Sequence, residues 1–456
     1  MIKLVKIQID PTISFELKNE LPGTRQVLFV WEDAKYNTPL FTDIVTLTDG
    51  INAFSSLNKP LSFFPDGITF KVIDLTNQEL LFSHTAHNLS FIRGRRILYV
   101  SQNNHTGYGF AARNCIYQLL TQGYDVQWVT DILSENQTQY VPSNEFEKSV
   151  NECRNKTIDY DCVIIHHVPI DYDDLITRLK IKPNVPIYVS TVWETTHVHQ
   201  SWCDILNNFK SLTGVIVPSQ FNVDVFKRSN INHPIYLWNY DIFPITDKTE
   251  IEPVLANLWM YKNGEYTNDI STVYSAIISN TVFYNISQYS TRKNIDQIVR
   301  TFCKTYDGND KVCLLLKTFF KTFTNQEKEY IKYKIKSLTS IYEKPPTILL
   351  CLDDLNTEQI NVLHKLSDIY FTLNRGEGFG LCSYTAKKFG NRVICGGFGS
   401  ESEFVDENDC IVPYSLEKPH GMITFHNLYD GDNQLWASYD DNDVIHCLKQ
   451  IKLVKK

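Results

Sequence analysis

Two stretches of this chain, residues 93–240 and 279–430, repeat one pattern: a short apolar run, a turn, then a segment with helical spacing. That alternation constrains the fold more than any other feature. In the first stretch the apolar runs are ILYVS, YDVQWVT, DCVIIHH, VPIYVS, TGVIVP and HPIYLW, with helical material such as AARNCIYQLL between several of them. In the second they are TVFYNIS, KVCLLLKTF, PTILLCL, DIYFTL and NRVICGG, separated by KNIDQIVRTFCKTY, NTEQINVLHKLS and SYTAKKFG. Short continuous apolar runs suit strands buried on both faces, and the helices between them supply the two covers. The expected fold class is α/β: two doubly wound, Rossmann-like domains whose carboxyl-side loops can face a common cleft.

The remaining segments differ. Residues 1–92 contain SFEL, RQVLFVW, ITFKVIDL and QELLFSH, rich in β-branched and aromatic residues and separated by turn signals such as Pro22-Gly23 and Asp49-Gly50. They predict a β-rich accessory domain. Residues 241–278 have the irregular composition of a connection or inserted element, and residues 431–456 predict a closing helix and tail. A formal charge of -8 gives no general attraction to nucleic acid. No apolar run is long enough for a membrane span and the amino end lacks a signal segment, so a soluble cytoplasmic protein is expected, with peripheral membrane contact left open. Eleven cysteines without a C-x-x-C pair favour free thiols in a reducing compartment. No metal is expected: His166 and His167 lack a matching ligand set, and the acidic groups DYDD, YDGD and YDDND establish no defined oxygen geometry.

Two glycine-rich turns carry the functional signal. In SQNNHTGYGFAARN, Gly107 and Gly109 permit close backbone approach at the start of a helix, whose free amides favour an anion. The turn lacks the third glycine of a dinucleotide fingerprint and the G-K-[ST] of a phosphate loop, so a ligand site and a tight strand–helix turn both fit. The second turn, NRGEGFG, places Glu377 among Gly376, Gly378 and Gly380. A carboxylate repels phosphate but accepts hydrogen bonds from sugar hydroxyls. The backbone from Gly378 through Phe379 and Gly380 to Leu381 would approach sugar or phosphate oxygens. Lys293 and Lys317, at separate strand ends, would supply positive charge where a diphosphate leaves; Arg292 reads as a solvated neighbour.

These motifs, in this order, resemble the retaining GT-B glycosyltransferases of family four. The resemblance runs from about residue 95 to 445 and rests on GYGFAARN, on TVWETTH with the downstream VPSQF, on SQYSTRKN and LLLKT, and on NRGEGFG before an alanine-containing helix. It implies a nucleotide-diphosphate sugar as donor substrate, no bound cofactor or metal, retention of configuration, and a glycan, glycolipid or glycoprotein acceptor. It assigns Glu377 to donor-sugar hydroxyls, Lys293 and then Lys317 to the phosphates, and Gly107 and Gly109 to the opposing cleft wall. It makes His166 or His167 a candidate for positioning the sugar. Two departures stand out. Thr385 occupies the place of the family's second glutamate, at the ribose end, and Gln288 stands where many relatives carry arginine. A degenerate binding protein and a sugar-nucleotide epimerase are the alternatives. Glu194 is expected to shape the acceptor side or orient His197, Trp193 and Trp202 to pack, and Ser219 to cap a helix.

Overall fold

The computed structural model describes residues 2–8, 13–19, 24–33, 39–47, 52–57, 68–76, 78, 80–86, 88–130, 140–245, 250–422, 426–453 and 455. The turn signals at 22–23 and 49–50 lie outside these residues. The amino-terminal region holds an antiparallel four-stranded sheet in the order Pro39–Leu47, Arg25–Asp33, Ile68–Asp74, Leu80–Ala86, and a three-stranded sheet of Ile2–Gln8, Ile13–Asn19 and Asn52–Leu57. Val27, Phe29 and Trp31 follow the two-residue strand period into the core, where Phe29 and Trp31 meet Phe70. Trp31 Nε1 donates to Ser55 Oγ of the other sheet at 2.9 Å.

Contacts divide the chain into two compact units. The first comprises residues 1–191 with 209–217 and 233–243. Besides the amino-terminal sheets it contains a parallel six-stranded sheet in the order Ile235–Leu237, Leu212–Val217, Ile187–Ser190, Cys162–His166, Arg96–Ser101, Asp125–Thr130. The order of strands reverses between Arg96–Ser101 and Cys162–His166, and the loops after both strands open at that point.

The second unit comprises residues 192–208, 218–232 and 244–456. Its eight-stranded sheet runs Glu265–Thr267, Leu258–Lys262, Thr347–Cys351, Val312–Lys317, Thr281–Ile286, Ile369–Phe371, Arg392–Gly396, Cys410–Val412. The last six are parallel, in the Rossmann order with its reversal between Thr281–Ile286 and Ile369–Phe371. Both alternating stretches are therefore doubly wound α/β sheets. Two segments differ from the sequence expectation. Leu258–Lys262 and Glu265–Thr267, expected in a connection or inserted element, form an antiparallel hairpin on the sheet edge. The helices Gln200–Asn208 and Gln220–Arg228, expected with the first sheet, cluster with the second unit.

The closing helix, Asp441–Gln450, buries Val444, Cys447 and Leu448. Cys447 is paired with Cys410 in a disulfide, which corrects the expectation of free thiols for these two; the nine other cysteines are free. Among the described residues no helix is long and apolar enough to cross a membrane.

Candidate functional site

The strand order of the second unit sets two loops side by side: residues 287–294 after Thr281–Ile286, and 372–380 after Ile369–Phe371. Arg375 N donates to Arg292 O at 2.8 Å and ties one to the other. Across this junction Lys293 Nζ pairs with Glu377 Oε2. Arg292 Nη1 donates to Gly376 O at 2.7 Å, and lies 3.0 Å from Glu194 Oε1 and 3.5 Å from Glu377 Oε2. Arg292 is thus not a solvated neighbour. Its guanidinium is largely buried because two carboxylates and a carbonyl replace its water. Burial opposes its charge, but Glu194, Tyr429 and Glu377 outweigh burial and hold its pKa up. Glu194 also accepts the Tyr429 hydroxyl, and the Tyr429 ring stacks on Trp193 at 5.7 Å. Glu194 therefore orients Arg292, while His197 Nδ1 contacts Thr196 Oγ1 at 3.2 Å.

Glu377 is the centre of this cluster. Burial pushes its carboxyl up, but Lys293 and Arg292, aided by the Gly380 amide, outweigh burial and hold it below the usual range. A second carboxyl lies next to it. Asn374 Nδ2 is 3.2 Å from Glu377 Oε2 and 3.1 Å from Glu401 Oε2, and Ser383 Oγ contacts Glu401 Oε1. Burial, and then the Glu377 charge, push Glu401 up to about 7.

The glycines answer to these neighbours. A Cβ at Gly376 would lie 2.1 Å from Glu194 O, and one at Gly378 2.9 Å from Val192 Cβ. Gly380 has φ +79° and opens the helix Leu381–Lys388. Ser219 Oγ caps its own helix by accepting from Asn222 N at 3.1 Å, as expected, and also donates to Gly378 O at 2.8 Å. Asn222 Nδ2 donates to the same carbonyl at 2.7 Å. Phe379 points into the protein against Tyr384 and Phe404, so any ligand contact at this position belongs to its backbone.

Other sequence candidates in this unit divide. Lys317 ends the strand Val312–Lys317 beside Ile286, is 5% exposed, and faces the rings of Phe319 and Phe323 at 5.0 and 4.6 Å. Burial lowers its pKa against the opposing charges of the nearby Asp354 and Asp353. It does not join the Lys293–Glu377 contact. Thr385 donates Oγ1 to Leu381 O at 2.7 Å and is buried, so its hydroxyl proton is taken by its own helix. Gln288 Nε2 donates to Phe320 O at 2.5 Å. Trp193 and Trp202 pack edge to face at 4.7 Å, as expected.

In the first unit, His166 is fully buried, with Tyr99 Oη 2.6 Å from Nδ1 and Tyr240 Oη 3.1 Å from Nε2. Burial pushes it down to about 3. Both ring nitrogens are occupied by tyrosine hydroxyls. His167 lies at the strand-order reversal: Nδ1 is 2.7 Å from Asp171 Oδ2 and Nε2 is 2.9 Å from Gln102 Nε2. Burial lowers its pKa against the opposing charge of Asp171, and a neutral ring with its proton on Nδ1 faces the Asp171 carboxylate while Nε2 accepts from Gln102. Gln102 Oε1 accepts from Asn104 Nδ2 at 2.9 Å. A Cβ at Gly109 would lie 2.3 Å from Asn104 O, whereas Gly107 has nothing within 4 Å.

Asn374, Glu401 and Tyr429 were missed in sequence. Asn374 opens the NRGEGFG motif; Glu401 and Tyr429 carry no local signal.

No protein-family model matches this chain, and no curated protein matches it. Solved structures resemble it. A sucrose-phosphate synthase from Thermosynechococcus elongatus matches with a TM-score of 0.49 and 12% identity, over 78% of this chain and 90% of the other. An alpha,alpha-trehalose-phosphate synthase (UDP-forming) from Burkholderia vietnamiensis matches at 0.47 and 8%, over 78% and 91%. A glycosyltransferase from Rickettsia africae matches at 0.47 and 15%, over 71% and 85%.

Proposed function

We propose that this chain is a glycosyltransferase of the GT-B kind, transferring a sugar from a nucleotide-diphosphate donor to an acceptor hydroxyl, with the donor held at the strand-order reversal of the second unit. One observation carries the reading: Lys293, Arg292 and Glu377, from two different loops, converge there as a charge cluster. Ionised Glu377 accepts the hydroxyl hydrogens of the sugar. Lys293 and Arg292 attract the diphosphate and favour its departure, because negative charge grows on its oxygens as the glycosidic bond breaks. Glu194 and Tyr429 hold Arg292 in place, and Ser219 with Asn222 holds the glycine loop. Lys317 is a further cation at the neighbouring strand end. Retention of configuration is part of the proposal through the family resemblance.

The test is transfer of labelled sugar from UDP-, GDP- and ADP-sugars to glycan, glycolipid and glycoprotein acceptors. Transfer that falls at least tenfold in Glu377→Gln and at least a hundredfold in Lys293→Ala supports the reading, roughly as loss of 1.5 and 3 kcal/mol gives. Donor binding without transfer or hydrolysis supports the second reading, a degenerate binding protein, which the Thr385 hydroxyl favours because it is turned to its own helix. Interconversion of free sugar nucleotides identifies an epimerase.

A further inference from the structure

The donor-site reading leaves one buried carboxyl group without a task. Glu401 lies in the 3-10 turn Ser400–Glu403 after the strand Arg392–Gly396 and is 1% exposed. Its hydrogen-bond partners, Ser383 Oγ and Asn374 Nδ2, are neutral. Lys293 and Arg292 pair with Glu377, and no cation pairs with Glu401 among the described residues. The same Asn374 amide reaches Glu377, so a single neutral group stands between the two carboxyls. The helix side is closed as well, since a Cβ at Gly380 would come within 2.5 Å of Glu401 Cγ. A buried carboxylate whose hydrogen-bond partners are neutral, beside a second one that is ionised, is less favourable than the neutral acid; the nearby Lys293 offsets only part of this.

The other titratable groups nearby do not change this balance. Cys382, Cys395, Tyr370 and Tyr439 are all pushed up by burial and stay neutral near neutrality. The charge state of the cluster therefore turns on Glu401. When it is ionised, Arg292 and Lys293 face three carboxylates, Glu194, Glu377 and Glu401; when it is neutral they face two. An arriving diphosphate adds negative charge and favours the neutral form further.

We propose that Glu401 is a proton-carrying positioning residue of the donor site, occupied by a proton whenever the diphosphate is bound, so that donor binding above neutrality takes up a proton at this carboxyl. The proposal rests on the donor-site reading. Its probes are UDP-glucose, GDP-mannose and ADP-glucose, whose esterified phosphates do not titrate near neutrality. Calorimetric titrations of the full chain at about pH 8, in buffers of different ionisation enthalpy, count the protons exchanged on binding. Uptake of about one proton or somewhat less is expected for the wild type, and none for Glu401→Gln. Ser383→Ala removes a bond that favours the ionised form, so its uptake should peak at higher pH; this variant keeps the test decisive if Glu401→Gln does not fold. Binding of none of the three probes overturns the donor-site reading and this proposal together. Binding with no proton uptake, or with the same uptake in Glu401→Gln, overturns this proposal alone.

Discussion

The two glycine turns of this protein look alike as sequence and differ as chemistry. In the first unit the polar groups near the turn form a chain, Asp171 beside His167, His167 on Gln102 and Gln102 on Asn104, and the buried Arg113 donates to Asn104 O at 2.9 Å. Gly109 is there because the Asn104 backbone leaves no room for a Cβ. In the second unit the turn is equally crowded, with Gly376 against Glu194 and Gly378 against Val192, yet it gathers two cations around one carboxylate. A pair of glycines thus reports close packing in both places. What differs is how the buried charge beside each turn is compensated: Arg113 lies on the carbonyl and amide oxygens of Asn104 and Asn103, whereas Lys293 and Arg292 lie on the Glu377 carboxylate, and charge is removed from water only where something compensates it.

Breaking the charged turn should have the largest effect. Lys293→Ala leaves Glu377 with Arg292 as its remaining cation, and removal of one partner from a buried pair costs about 3–5 kcal/mol. Transfer activity should fall by at least two orders of magnitude, roughly what 3 kcal/mol gives, as measured by steady-state kinetics with labelled donor. Glu377→Gln keeps the shape of the loop but loses a charged acceptor worth about 1.5–3 kcal/mol, so kcat/KM should fall roughly 10- to 100-fold with the fold intact. Circular dichroism alongside the kinetics separates the two effects.

The charged turn should also respond to pH. Glu401 is raised from its ordinary value of 4.5 to about 7, so the stability tied to it is fully present below 4.5 and lost as pH rises through 7. Relative to Glu401→Gln, the wild type should lose on the order of 3 kcal/mol across that window, read by urea unfolding at each pH. The turn of the first unit should behave differently. Gly109→Ala forces its methyl against Asn104 and should destabilise by about 1–3 kcal/mol while leaving donor affinity in the second unit unchanged. The smallest effect is expected at Thr385→Val, which loses one hydroxyl bond to Leu381 O and should cost about 1 kcal/mol or less, with donor affinity unaltered.

The sheets were legible because a strand buried on both faces must be an apolar run, as VCLLLK and TILLC are. The Lys293–Glu377 cluster was legible in part: each residue stands in a local motif, although 84 positions separate them. Its supports were not. Glu194 reaches Arg292, and Glu401 reaches Ser383 and Asn374, only through the strand order, and nothing local in VWETTH or GSESEF states that. The helices Gln200–Asn208 and Gln220–Arg228 follow first-sheet strands, and an apolar helix face does not say which core it covers. The partner of Cys410 was hidden for the same reason, since 37 residues separate it from Cys447. The Thr385 bond to Leu381 O was not legible from its family position, although a hydroxyl within a helix readily bonds the carbonyl four residues back.

The most direct test is equilibrium binding of UDP-, GDP- and ADP-sugars to the wild type, Lys293→Ala and Gly109→Ala in one series. If the charged turn of the second unit holds the donor diphosphate, Lys293→Ala should bind at least 30-fold more weakly, about 2 kcal/mol, and Gly109→Ala should bind like the wild type. Equal affinity in wild type and Lys293→Ala would contradict the assignment.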